Sequence, residues 1–200
     1  CHLHQSTEDL VKKVKMQRGE MTYDRLIIAT GVDFNYDTLP TLQTPETQQQ
    51  IPHAWKAGWQ TENLRKQLEA MPDGGVFVMN VPKAPYRCPP GPYERACQVA
   101  SYLKKNKPKS KVIVLDANAE VISKKGLFLK AWAELYPNIV EYRPDSAITS
   151  MDVDTTSTDQ ASESSSMTVK YDGKSSLVPK ENASTVSAMI GNRNRNRCKT

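Results

Sequence analysis

Residues 74–117 constrain this chain more than any other stretch. Gly75-Val-Phe-Val-Met-Asn-Val81 is nearly all apolar, as a strand buried on both faces must be. A proline-rich loop follows, Pro82-Lys-Ala-Pro-Tyr-Arg-Cys-Pro-Pro-Gly-Pro92. Ala96, Val99, Ala100 and Leu103 then stand at i, i+3, i+4 and i+7, which predicts a helix from about Tyr93 to Lys105. Pro92 suits its first turn, where a missing N–H costs nothing. Lys111-Val-Ile-Val-Leu-Asp116 is a second apolar strand. Strand, helix, strand is one βαβ unit, and the fold class is therefore α/β with a parallel sheet.

The turn inside this unit has unusual chemistry. A dinucleotide-binding unit uses glycines so that backbone N–H groups can approach a pyrophosphate at the helix N-terminus. Here Gly91 is the only glycine and five prolines fill much of the rest, removing those donors. Asp116 ends the second strand, where a ribose-binding acid stands in an NAD site; without the glycine turn it reads as a solvated or capping acid. What the loop presents instead is Cys88, beside Arg87 and just before the helix. Cation and helix dipole both favour a thiolate, giving a reactive cysteine; a buried, inert cysteine is the alternative.

The rest of the chain supplies context. Leu10 to Met16 and Met21 to Tyr23 read as a hairpin, and Tyr23 to Ala29 as an apolar strand ending in Ala29-Thr30-Gly31. Small residues at such an end permit close approach of a ligand or another backbone. Residues 32–50 read as loop. His53 is either a proton shuttle or a structural surface or cap histidine, the second being preferred, and Trp55 and Trp59 read as packing. Helices are predicted over Trp59 to Met71 and Leu127 to Tyr136, with a short strand from Ile139 to Arg143. Ala147 to Val153 and Met167 to Tyr171 form a hairpin reading, with Asp172-Gly173 as a turn. Asp154 to Ser166 reads as a flexible excursion. Asn182-Ala-Ser184 matches a glycosylation triplet, and residues 191–200 read as a basic polar tail.

The net charge of +5 allows an anionic partner or substrate, but the basic residues are scattered and do not indicate nucleic acid. No run approaches the roughly 18 apolar residues of a membrane span. The chain begins at Cys1 with no visible signal peptide, and reads as processed or as a fragment. Its four cysteines are too scattered for a disulfide scaffold. Cys1-His2-Leu3-His4 reads as a frayed terminus, and no metal site is assigned.

Arg87-Cys-Pro-Pro-Gly-Pro-Tyr-Glu-Arg-Ala96 resembles the flavoprotein subunit of flavocytochrome c sulfide dehydrogenase. Pro52-His-Ala-Trp-Lys-Ala-Gly58, Leu64-Arg-Lys-Gln-Leu68 and Lys107-Pro-Lys-Ser-Lys-Val-Ile-Val-Leu-Asp116 belong to the same resemblance, which runs from about Tyr23 to Ile148. The Cys…Gly-Pro-Tyr-Glu arrangement also resembles the sulfide:quinone oxidoreductases. The resemblance implies a fragment of a two-dinucleotide-binding-domain flavoprotein. Residues 1–50 would be a remnant of its FAD-binding domain, 51–150 an NAD-domain-like βαβ domain carrying Cys88, and 151–200 a hairpin plus a polar tail. Ala29, Thr30 and Gly31 would approach FAD. The glycine-rich FAD turn that should precede them is absent, so the chain reads as truncated.

In that family sulfide attacks a redox-active disulfide over the flavin, and electrons pass through FAD to a cytochrome c subunit in the periplasm. By motif, Cys88 matches one of those cysteines and Glu94 the active-site acid/base; a Glu in the first helical turn is also a routine dipole-stabilising choice. Cys97 reads as buried packing. Cys198 is the one C-terminal candidate for the second sulfur, with unlike flanks and too short a spacing, and no disulfide partner is assigned. Two functions follow: the sulfide-oxidising flavoprotein, or a non-catalytic interaction module that keeps the fold and cannot hold FAD. An NAD-dependent disulfide reductase is a third, which the proline-filled turn speaks against.

Overall fold

A computed structural model describes residues 12–29, 33–154, 166–171, 174–177 and 183–188. It divides into two compact units, Cys1–Val32 and Asp33–Thr200. In the first, β1 (Lys13–Met16) and β2 (Gly19–Thr22) form the expected antiparallel hairpin. Cross-strand pairing places Glu20 within reach of both Lys13 and Lys15. The strand expected from Tyr23 to Ala29 is not formed. Ile27 is 88% and Ile28 66% exposed, and no described strand pairs with them. Apolar content alone does not make a strand; its N–H and C=O groups need a ladder partner.

The second unit is built on a parallel sheet. Its strands are β3 (Val76–Val81), β4 (Lys111–Asp116), β5 (Val140–Arg143) and β9 (Ala183–Ala188), ordered β5-β4-β3-β9. All three pairings are parallel, and β3 to β4 runs in register from Val76↔Lys111 to Val81↔Asp116. Taking the parallel strands in chain order, the sheet reads third, second, first, fourth. That is the order of a doubly wound dinucleotide-type half, whose switch point lies between its first and fourth strands. Between β5 and β9 the chain makes an antiparallel three-stranded sheet of β6 (Ile148–Asp154), β7 (Ser166–Tyr171) and β8 (Lys174–Leu177). The expected hairpin is thus the first two strands of a meander. Residues 155–165, the glycosylation triplet's Asn182 and the basic tail lie outside the described residues.

The period of two along each strand divides the core into two. Phe77, Met79, Val81, Val112 and Val114 face α3 (Gly91–Asn106) and α4 (Lys125–Leu135). The predicted stripe Ala96, Val99, Ala100 and Leu103 is fully absorbed there, with Phe128 and Trp132 from α4. Val76, Val78, Ile113 and Leu115 face the other way, onto Leu39, Leu42, Ile51 and Met151. Leu39 and Leu42 come from a stretch expected to be loop. It contains two short 3-10 turns and α1 (Pro45–Gln50), which starts from a Thr44 cap with proline in its first turn. Thr44-Pro45-Glu46 was the available signal.

α2 (Trp59–Ala70) packs against β9 and sends Leu64 into the core, and Lys107 finishes it. The Lys107 ammonium is buried and donates to the carbonyls of Leu68 (2.8 Å), Glu69 (2.6 Å) and Met71. These are carbonyls at and just past the end of α2, where orphan acceptors and the negative end of the dipole favour a cation. Lys107→Met keeps the stem and removes those donors. It is expected to cost about 2–3 kcal/mol, as charge-assisted bonds to buried carbonyls do. Urea unfolding monitored by circular dichroism measures it, and an unchanged midpoint would show that the carbonyls are satisfied without it.

Candidate functional site: the cysteine loop at the sheet switch point

In open α/β sheets, ligands bind at the carboxyl ends of the strands beside the switch point. The element leaving β3 at that point is the proline loop. Cys88 lies in it, exposed, with φ of 57°. A non-glycine residue adopts that left-handed conformation only where its surroundings enforce it. The enforcement is visible on both sides. The Cys88 carbonyl accepts from the Gly91 N–H at 2.9 Å, closing a turn over Pro89-Pro90. The Tyr86 hydroxyl donates to the Pro89 carbonyl at 3.3 Å, and its ring packs edge-on against Trp55 with centroids 5.9 Å apart. A Cβ on Gly91 would stand 3.3 Å from Cys88 Sγ and 3.7 Å from the Trp55 ring, so Cys88 Sγ would have to give by a few tenths of an ångström.

The helix start is occupied by its own chain. Gly91 N–H bonds to Cys88 and Glu94 N–H to Pro90, each locally, while Pro90 and Pro92 have no N–H. The turn therefore does not fit a dinucleotide pyrophosphate. Asp116, the acid in the ribose position, is not solvated as expected but 0% exposed and fully bonded. Its Oδ2 accepts from the hydroxyls of Tyr93 (2.8 Å) and Tyr142 (3.0 Å). Its Oδ1 accepts from the N–H (2.9 Å) and Nδ2 (2.8 Å) of Asn118, so the capping half of the expectation is met. Burial pushes both tyrosine hydroxyls well above their ordinary range, the Asp116 charge adding to it, which keeps them protonated donors.

Glu94 lies in the first turn of α3, exposed, at the same helix end as the Cys88 loop. Cys97, one residue past Ala96, is half-buried and accepts from Trp132 Nε1 at 3.2 Å. Burial pushes its thiol up, and the Glu94 charge adds to this. Both cysteines are free thiols. Cys198, Thr30 and Gly31 lie outside the described residues; Ala29 is exposed in the first unit. The tyrosine donors to Asp116 carried no signal in the sequence, since they come from the preceding helix α3 and the following strand β5.

Residues 61–174, more than half of the chain, match the family described as sulfide dehydrogenase (flavocytochrome c) flavoprotein chain, central. The chain belongs to that family. Among solved structures, this flavocytochrome c family member is similar to the bacillithiol disulfide reductase Bdr (YpdA) from Bacillus cereus. That likeness has 15% identity and a TM-score of 0.41, and covers 90% of this chain and 45% of that one. The chain thus spans less than half the length of that structure.

His53 sits behind the loop and is buried, not on the surface. Its ring stacks on Phe34 with centroids 4.0 Å apart, and its Nδ1 accepts from the Trp55 N–H at 3.3 Å. It caps the turn that carries Trp55. Burial lowers its pKa to about 4, the nearby Lys56 adding to it. It is therefore neutral at physiological pH and unsuited to shuttle protons. The folded pKa lies below the ordinary value of 6.5, so the unfolded chain binds more protons between the two. Its contribution is full above about pH 6.5 and falls away as pH drops toward about 4, a loss on the order of 3 kcal/mol. His53→Gln is expected to flatten this part of the stability–pH curve; an identical slope in the variant would assign the loss to other groups.

Proposed function

We propose that this chain is the cysteine-bearing part of a flavin-dependent sulfide dehydrogenase, with FAD as the flavin and a cytochrome c subunit as the electron acceptor. The observation that carries the reading is the exposed Cys88, held at φ 57° in the loop beside the sheet switch point, in a chain of this family. In this reading Cys88 is one sulfur of a disulfide whose second cysteine is not assigned: sulfide attacks that disulfide, the new S–S bond forms as the old one breaks, and the displaced sulfur leaves as a thiolate. Glu94, at the same helix end, exchanges a proton with sulfide or with the thiol. FAD supplies the electron sink when bound; the described residues build no pyrophosphate cradle for it. The Ala29-Thr30-Gly31 end is the part of this chain assigned to approach it. The sulfide substrate, the cytochrome partner and a periplasmic site of action belong to the same reading. Among the described residues no helix is long and apolar enough to cross a membrane.

In the flavin-loaded full-length protein, Cys88→Ser is expected to abolish sulfide-driven bleaching of the flavin, with the visible spectrum before sulfide unchanged. Glu94→Gln should slow bleaching by about 100-fold, the lower end of what a positioned proton donor contributes. Normal turnover in Cys88→Ser would sink the assignment. A chain that never takes up flavin in any assembly would favour the interaction-module reading instead.

A further inference from the structure

The acid end of β4 connects to the cysteine loop through one side chain. Asn118 Nδ2 donates both to Asp116 Oδ1 at 2.8 Å and to the Pro82 carbonyl at 3.0 Å. Asn118 Oδ1 accepts from the Ala84 N–H at 3.0 Å. The amide orientation follows from the chemistry: a carboxylate and a carbonyl accept only, so the NH2 must face them and the oxygen must face Ala84. Asp116 is itself fixed by the Tyr93 and Tyr142 hydroxyls. The Asn118 backbone is held as well, its carbonyl accepting from Asp145 N–H at 2.9 Å. Around the same point the Tyr93 hydroxyl accepts from Ile122 N–H, and Lys83 Nζ donates to the Ala117 carbonyl. An element that would read a ribose in a dinucleotide-binding unit is here turned onto the loop after β3.

We propose that Asn118 is a positioning residue for Cys88, and that the buried Asp116 orients Asn118 for that task. This rests on the reading of Cys88 as the reacting thiol. Asn118 fixes the loop at Pro82 and Ala84, on the β3 side of the cysteine. The Gly91 N–H fixes it on the α3 side. With both ends held, and Tyr86 against Trp55 between them, the left-handed Cys88 has one seat. Asn118 touches neither sulfur nor substrate; it acts through the Pro82–Tyr86 backbone.

Two measurements on the full chain test this. Amide hydrogen exchange of the unaltered protein should show Ala84 protected by about 100-fold over a free chain. Exchange of Ala84 at the free-chain rate overturns the proposal without any variant. In Asn118→Ala, protection should be lost at Ala84 and retained in β3 and β4. Iodoacetamide labelling, resolved by peptide mass spectrometry, should then show Cys88 reacting about fivefold slower at neutral pH, with a displaced pH–rate profile, because the thiol is no longer held in one place at the N-terminus of α3. An unchanged Cys88 rate and profile in the variant overturns the proposal. Sluggish labelling of Cys88 in the unaltered protein, with Ala84 protected, instead counts against Cys88 as the reacting thiol and leaves the tether standing.

Discussion

The buried Asp116 carboxylate is the interaction on which this fold's upper edge depends. A carboxylate taken out of water is tolerated only when its lone pairs are satisfied. Here four donors converge on it, from α3, β5 and the turn after β4. Each is a constraint on a different element. Tyr93 sets the start of α3, Tyr142 sets β5, and Asn118 sets the turn that meets the cysteine loop. The aromatic rings of Tyr93, Phe128, Trp132 and Tyr142 pack in sequence beneath, keeping water from the carboxylate. Removing one partner would leave the rest holding an imperfectly paired charge, which costs more than one hydrogen bond contributes.

The same arrangement shows how a dinucleotide-type topology comes to display a thiol where a phosphate cradle would stand. Strand order alone places a crevice at the end of β3. What fills a crevice is decided by the turn and by the acid beyond it. Five prolines take donors from the turn, and two tyrosines with an asparagine occupy the acid. Both changes act in one direction: the site loses its means of gripping phosphate and ribose, and gains a rigid loop that displays a thiol.

Much of this was legible in the sequence, and the rest was hidden for physical reasons. The βαβ unit is local, and its apolar stripe and strands are read by period alone; Ala96, Val99, Ala100 and Leu103 are buried as spaced. The burial of Asp116 was not legible, because its tyrosine donors are 23 and 26 residues away in sequence. The role of Lys107 was not legible either, since nothing local says that α2 ends beside it. β9 reads Ala-Ser-Thr-Val-Ser-Ala, too polar to announce a strand, and it forms because β3 offers an edge. Leu26, Ile27 and Ile28 show the converse: a strong strand composition without a described neighbour stays unpaired.

The position of β9 carries a consequence for how the chain is made. β3 is apolar along nearly its whole length, and its second neighbour in the sheet begins only at residue 183. During synthesis the βαβ unit can close early, from contacts close in sequence. One edge of β3 then stays open while about seventy more residues leave the ribosome, a span that takes on the order of 4–14 s at usual rates. An open, apolar strand edge is a template for pairing with other chains. The turns at Leu39 and Leu42 and the first strand of the meander pack on the sheet face instead. Holding that edge until the last strand arrives is a task for chaperones, and slow, aggregation-prone refolding is the behaviour this topology imposes.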